Sequence, residues 1–136
     1  MALAKKSAMT KQEMRVAVAR DVLKWLKAKR IKATPGTYLE VKLPKNCKLG
    51  EQAQPFVKKI KRCQACAVGS MLICYVGRFN KATFSQIGVM KDWLDNKPEL
   101  NNSRYACFNR LRACFPGEQL EEIEFAFESQ NDHTFD

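Results

Sequence analysis

The sequence predicts a mainly helical α+β protein, a single compact domain of about five helices with one or two short strands in its N-terminal third. Three observations lead there. Apolar residues recur at helical spacing behind two Thr-led capping sequences. One short segment, Thr37 to Leu43, alternates strictly between apolar and polar. An almost uncharged run, Cys63 to Phe79, is too long for an ordinary strand and reads as a buried helix. A length of 136 residues fits one domain, and a 46% hydrophobic share is that of a globular chain. The ends, residues 1–9 and 129–136, are expected to be flexible.

The elements follow in order. Thr10-Lys11-Gln12-Glu13 is a capping box. Behind it Met14, Ala17, Val18, Val22, Trp25 and Leu26 predict an amphipathic helix over 11–29, with Asp21 placed to pair with Lys24. Pro35-Gly36 marks a turn. The strand over 37–43 should bury Leu39, Val41 and Leu43 and turn Tyr38, Glu40 and Lys42 outward. Residues 44–55 read as a loop, and 56–61 are compatible with either strand or helix. In the central helix, Cys63, Ala67, Ser70, Cys74 and Gly77 form a stripe of small residues that permits close approach of another element. Thr83-Phe84-Ser85-Gln86 is a second capping box. The helix it predicts buries Ile87, Met90, Leu94 and part of Trp93, and the stretch Asn96 to Asn102, with Pro98, ends it. Ser103 caps the next helix, which buries Ala106 or Cys107, Phe108, Leu111 and Phe115. After Pro116-Gly117 a last helix buries Leu120, Ile123 and Phe127 and exposes Glu118, Glu121, Glu122 and Glu128.

Charge is unevenly distributed. Residues 1–62 hold 17 Lys or Arg and four acids; residues 116–136 hold seven acids and no Lys or Arg. The net charge of +10 is therefore a basic front and an acidic tail. A basic front attracts polyanions, nucleic acid foremost, or an acidic protein surface. The rival arrangement is an acidic tail folded back over that front. Phosphate contact is expected from Arg15, Arg20, Lys24, Lys27, Lys29 and Arg30. A secondary basic and aromatic patch comprises Arg104, Tyr105, Arg110 and Arg112. Trp25 lies on the apolar stripe and belongs to the core.

Cys63-Gln64-Ala65-Cys66 has the spacing of half a zinc site or of a redox dithiol. No second such pair completes it, so Cys63 and Cys66 are only candidate zinc ligands. The reading preferred from the sequence is six free cysteines packed as small hydrophobes in a reducing compartment. The single histidine, His133, stands among polar residues near the end. No phosphate loop, nucleophile elbow or paired-carboxylate spacing is present, so no enzymatic activity is expected. No apolar run reaches the roughly 18 residues of a membrane span, and Met1 to Thr10 lacks the apolar core of a secretory signal.

Two segments carry a resemblance. Cys63-Gln64-Ala65-Cys66-Ala67-Val68-Gly69-Ser70 and Phe115-Pro116-Gly117-Glu118-Gln119-Leu120-Glu121-Glu122-Ile123-Glu124-Phe125-Ala126-Phe127-Glu128 resemble stretches of small uncharacterised bacteriophage and prophage proteins, as does Arg15 to Leu23. Phe125 stands where that pattern has a small residue. The resemblance implies a small accessory protein of the bacterial cytoplasm and transfers no site residues. Three functions compete: a module binding an anionic partner, most simply nucleic acid; an inhibitor that binds a host or defence protein or sequesters a nucleotide messenger; and a zinc or thiol module at Cys63 and Cys66.

Overall fold

The computed structural model describes the backbone of residues 9–44, 47–48, 50–87, 90–92, 97–102 and 104–132, with side chains up to 87 and from 107 to 128. Among these residues the chain runs α1 (Lys11–Lys27), β1 (Ile31–Ala33), β2 (Leu39–Lys42), α2 (Gln54–Lys58), β3 (Cys63–Ala65), α3 (Ala67–Arg78), β4 (Met90–Asp92), β5 (Lys97–Asn102), α4 (Arg104–Leu111) and α5 (Gly117–Asp132). The class is α+β with five helices, as the sequence predicts, and the sheet is larger than predicted, with five strands in the order β1-β3-β2-β5-β4.

The first capping box forms as read. The Thr10 hydroxyl accepts from the Glu13 amide, and the Glu13 carboxylate accepts from the Thr10 amide. The helix then ends at Lys27 in a Schellman turn: the Lys29 amide donates to Leu26 O at 3.1 Å and the Arg30 amide to Trp25 O at 2.9 Å. The turn requires a left-handed residue, and Lys29 supplies it with φ 61°. Asp21 does not pair with Lys24. It meets Arg78 of α3 in a two-pronged contact of 2.7 and 2.8 Å, because its position faces the central helix.

Leu39, Val41 and Leu43 are buried while Lys42 is exposed, as the alternation predicts. Pro35-Gly36 forms a turn in which Gly36 takes φ 78°, and Thr37 N donates to Thr34 O at 3.4 Å. β1 and β2 flank this turn but are not neighbours. β3 inserts between them, parallel to β1 in the register Ile31↔Cys63, Lys32↔Gln64, Ala33↔Ala65, and antiparallel to β2.

Two further expectations are corrected, and one left open is decided. The run from Cys63 is not one helix: Cys63–Ala65 is a strand and the helix starts after Cys66. Its first three residues are drawn into the sheet by pairing with Ile31, Lys32 and Ala33, far away in the chain, which no local pattern encodes. Of the segment 56–61, residues 56–58 belong to the short helix α2, which starts at Gln54 inside the stretch read as a loop, with Pro55 in its first turn, and the remainder leads out of it. The second capping box forms its bonds, Thr83 N to Gln86 Oε1 at 2.9 Å and Gln86 N to Thr83 Oγ1 at 3.3 Å. It nonetheless caps only a turn. Met90 onward is strand, and the stretch read as a breaker is β5, the longest strand, paired with both β2 and β4. Backbone pairing on two sides outweighs the local signals of Pro98 and the asparagines. Trp93, Leu94, Asn96, Ser103 and His133 lie outside the described residues.

The core centres on α3, whose residues Val68 to Gly77 are all buried. Here the decisive small residue is Gly69, which is not on the predicted stripe. A Cβ there would lie 1.3 Å from the carbonyl oxygen of Tyr38. The helices α1, α2, α4 and α5 all pack against α3. In α5, Leu120 is fully buried and Ile123 and Phe127 are partly so, as predicted, while Glu128 is half-buried and accepts from Gly36 N at 3.1 Å.

Candidate functional site

The strands nearest the N-terminal edge separate two chemistries by simple alternation. Ile31, Cys63, Ala65, Leu39 and Val41 are buried towards the helices. Lys32, Glu40, Lys42 and Gln64 occupy the opposite face, where Lys32 and Glu40 both stand in register with Gln64. That face forms the floor of a cleft of about 830 Å³, whose cations are Lys29, Lys32, Lys42, Lys61 and Arg62 and whose acid, among the described residues, is Glu40. Each cation has a structural reason to be there. Lys32 and Lys42 project from alternate strand positions. Lys61 and Arg62 precede β3. Lys29 is placed by the left-handed turn that ends α1. Lys42 stands opposite Glu99 in the β2–β5 register.

The predicted phosphate-contacting residues do not share one face. Arg15 donates to the carbonyl oxygen of Cys114 at 2.8 Å and ties α1 to the residues before α5. The Arg30 guanidinium lies 3.5 Å from the centre of the Trp25 ring and donates to Ile60 O at 2.8 Å and Lys58 O at 3.0 Å. Both arginines are thus occupied in clamping backbone. Arg20, Lys24 and Lys27 are exposed on α1, and Lys29 alone of the six lines the cleft. Trp25 is buried, as its place on the apolar stripe predicts, and is not available to stack on a base. In the secondary patch, Arg110 and Arg112 are partly and fully exposed; the side chains of Arg104 and Tyr105 lie outside the described residues. Lys32, Lys42, Lys61 and Arg62 were not singled out by the sequence. The alternation that exposes Lys42 was legible; the convergence of the other three required the sheet order.

The part of the acidic tail whose side chains are described, up to Glu128, packs against the β1–β2 turn rather than over the basic cleft. The Tyr38 hydroxyl donates to a Glu124 oxygen, and Glu128 receives Gly36 N. These contacts hold α5 against the β1–β2 turn. Glu121, Glu122, Glu124 and Glu128 border a separate hollow beside Gly36 and Tyr38 and do not line the cleft.

All six cysteines are buried and free. Burial pushes the Cys63 thiol up to about 11, with Arg30 opposing weakly, and the Cys74 thiol up to about 12. Cys66 precedes α3, where the amides of Val68 and Gly69 favour its thiolate, yet burial wins and its thiol is also raised. The pair therefore has the opposite of the lowered thiol pKa that redox exchange uses. Among the described residues no group of three or more His, Cys, Asp or Glu side chains converges as metal ligands would. Nor, among them, is any helix long and apolar enough to cross a membrane. No family model matches the sequence, and no curated protein or solved structure matches it significantly.

Proposed function

We propose that this is a non-enzymatic accessory protein that binds nucleic acid through the open face of its sheet. The observation that carries the reading is the convergence of five cations and one acid on a cleft whose floor is exposed strand. A flat floor with lysines spaced along it suits an extended phosphate backbone. Among the described residues the cleft contains no aromatic side chain, so binding is led by phosphate contact rather than by base stacking or base reading. The resemblance to small phage proteins supports a place of action in a bacterial host cytoplasm.

Fluorescence anisotropy with labelled oligonucleotides at stepped salt tests this. Affinity should fall steeply with salt, by a log–log slope of about −0.7 to −0.9 per phosphate neutralised. Charge reversal at Lys32 and Arg62 should weaken binding far more than reversal at Lys24 and Lys27 on α1. Equal losses from the two pairs would remove the cleft as the site. Displacement of the oligonucleotide by low concentrations of a mononucleotide, with little salt dependence, would instead point to a nucleotide pocket.

A further inference from the structure

The floor of the basic cleft is not basic throughout. Lys32, Gln64 and Glu40 stand in one row across β1, β3 and β2, because Lys32 and Glu40 are both in register with Gln64. Residues opposed in this way share a face of the sheet and lie about 5 Å from their neighbours. Lys32 and Gln64 are exposed and Glu40 partly so. Lys42, two residues after Glu40, and Arg62, two residues before Gln64, line the same cleft. Cations therefore border a row whose middle is a neutral amide and whose end is an acid.

Phosphate contact does not explain Glu40. A carboxylate among five cations repels phosphate and lowers the affinity those cations provide. Nor does it hold one of them in place: among the described residues none of the five comes within salt-bridge distance of it. What the carboxylate offers a ligand is two hydrogen-bond acceptors. In a nucleic acid the strong N–H donors are on the bases, and in a single strand the Watson–Crick edges that carry them are open.

Those edges differ in what they present. Guanine carries two adjacent donors, N1–H and the N2 amine, beside the O6 acceptor. Thymine and uracil present one donor between two acceptors. Adenine and cytosine present an amine next to a ring nitrogen that accepts. A carboxylate takes two parallel N–H groups well, and an amide beside it supplies a donor of its own. Glu40 with Gln64 thus matches guanine, and sets a lone pair of any other common base against the Glu40 oxygens.

We infer, on the basis of the nucleic-acid binding proposed above, that Gln64 and Glu40 select guanine in a single strand. The Glu40 carboxylate accepts from N1–H and the N2 amine, and the Gln64 amide donates to O6. The surrounding cations hold the phosphates and set the affinity. The acid lowers that affinity and supplies selectivity.

Anisotropy titrations of the full chain with short labelled single strands test the inference. Strands of thymine alone are compared with strands carrying guanine, adenine, cytosine or hypoxanthine at the same spaced positions. Guanine should tighten binding at least about fivefold over thymine, the lower end of what one good base contact provides. Adenine and cytosine should not. Hypoxanthine, which keeps N1–H and O6 and lacks the N2 amine, should fall between. The guanine strand annealed to its complement should show no advantage over a thymine–adenine duplex. Glu40→Gln, with circular dichroism unchanged, should bind thymine strands at least as tightly as the parent and lose the preference for guanine. A merely repulsive or structural Glu40 would instead shift all strands alike, as Lys42→Ala should. Binding with no preference for guanine, a preference that Glu40→Gln keeps, or an equal preference in duplexes would overturn the inference and leave the cleft as a phosphate site. Failure of every oligonucleotide to bind would remove the nucleic-acid function itself, and the guanine preference with it.

Discussion

Replacing Lys29 by glycine separates the strain of one residue from the use of its charge. Lys29 occupies the left-handed position of the Schellman turn at φ 61°, a conformation that costs an ordinary residue about 1–2 kcal/mol. Glycine adopts it freely but gives up about 0.5–1 kcal/mol through the greater freedom of its unfolded chain. The net gain for Lys29→Gly is about 1 kcal/mol, which for a chain of this size raises the melting temperature by about 4 °C. The same side chain lines the basic cleft. If it neutralises one phosphate, its loss reduces the salt slope by about 0.7–0.9 and the affinity near 0.1 M salt by about five- to eightfold. Differential scanning calorimetry and anisotropy titrations at several salt concentrations measure the two effects. Lys29→Ala is the control, since it removes the charge and retains the strained backbone. A more stable variant that binds less well supports a residue kept for its charge against its backbone preference. An unchanged or lower melting temperature would refute the strain argument, and an unchanged salt slope would refute the phosphate contact.

Other expectations follow from the same structure. Gly69→Ala should destabilise the fold by about 3 kcal/mol or more in urea titrations, because the Tyr38 carbonyl occupies the space its methyl group needs. Raised thiols in the folded state mean that the unfolded chain releases its protons first as pH rises. Stability should therefore be full below the ordinary thiol value of 9.0 and fall as pH climbs towards about 11 for Cys63 and about 12 for Cys74. Urea midpoints measured through that range should drop, and Cys74→Ala should flatten the decline relative to its own neutral value. The Asp21–Arg78 pair is half-exposed on its arginine side, so a double-mutant cycle should give about 0.5–1 kcal/mol, diminishing in high salt.

Local signals were most readable where the answer was itself local. The Thr10 box, the apolar stripe with Val18 and Trp25, the alternation from Leu39 to Leu43 and the burial of Leu120 are all decided within a few residues of chain. The Thr83 box shows the boundary of that rule. Its two side-chain bonds form as the sequence says, yet no helix propagates from them, because Met90–Asp92 and Lys97–Asn102 gain more as paired strands. The strand at Cys63–Ala65 was hidden for the same reason. Its partners are at Ile31–Ala33 and in β2, and Cys63-Gln64-Ala65 at the head of a helical run carries no mark of them.

The candidate site divides along the same line. The excess of positive charge in the first 62 residues and the acidity of the last 21 are properties of composition, and the sequence alone determined them. It also determined that the chain would be mainly helical round an uncharged centre, since apolar spacing dictates which residues must leave water. Which cations would act together was decided only by the tertiary structure. Lys29, Lys32, Lys42, Lys61 and Arg62 span 34 positions of chain and meet because β3 inserts between β1 and β2. Arg15 and Arg30, equally basic on paper, are drawn inward to satisfy carbonyl oxygens at the ends of neighbouring elements. Charge is fixed residue by residue, but a charged surface is made by backbone pairing between distant segments, and those pairings are long-range.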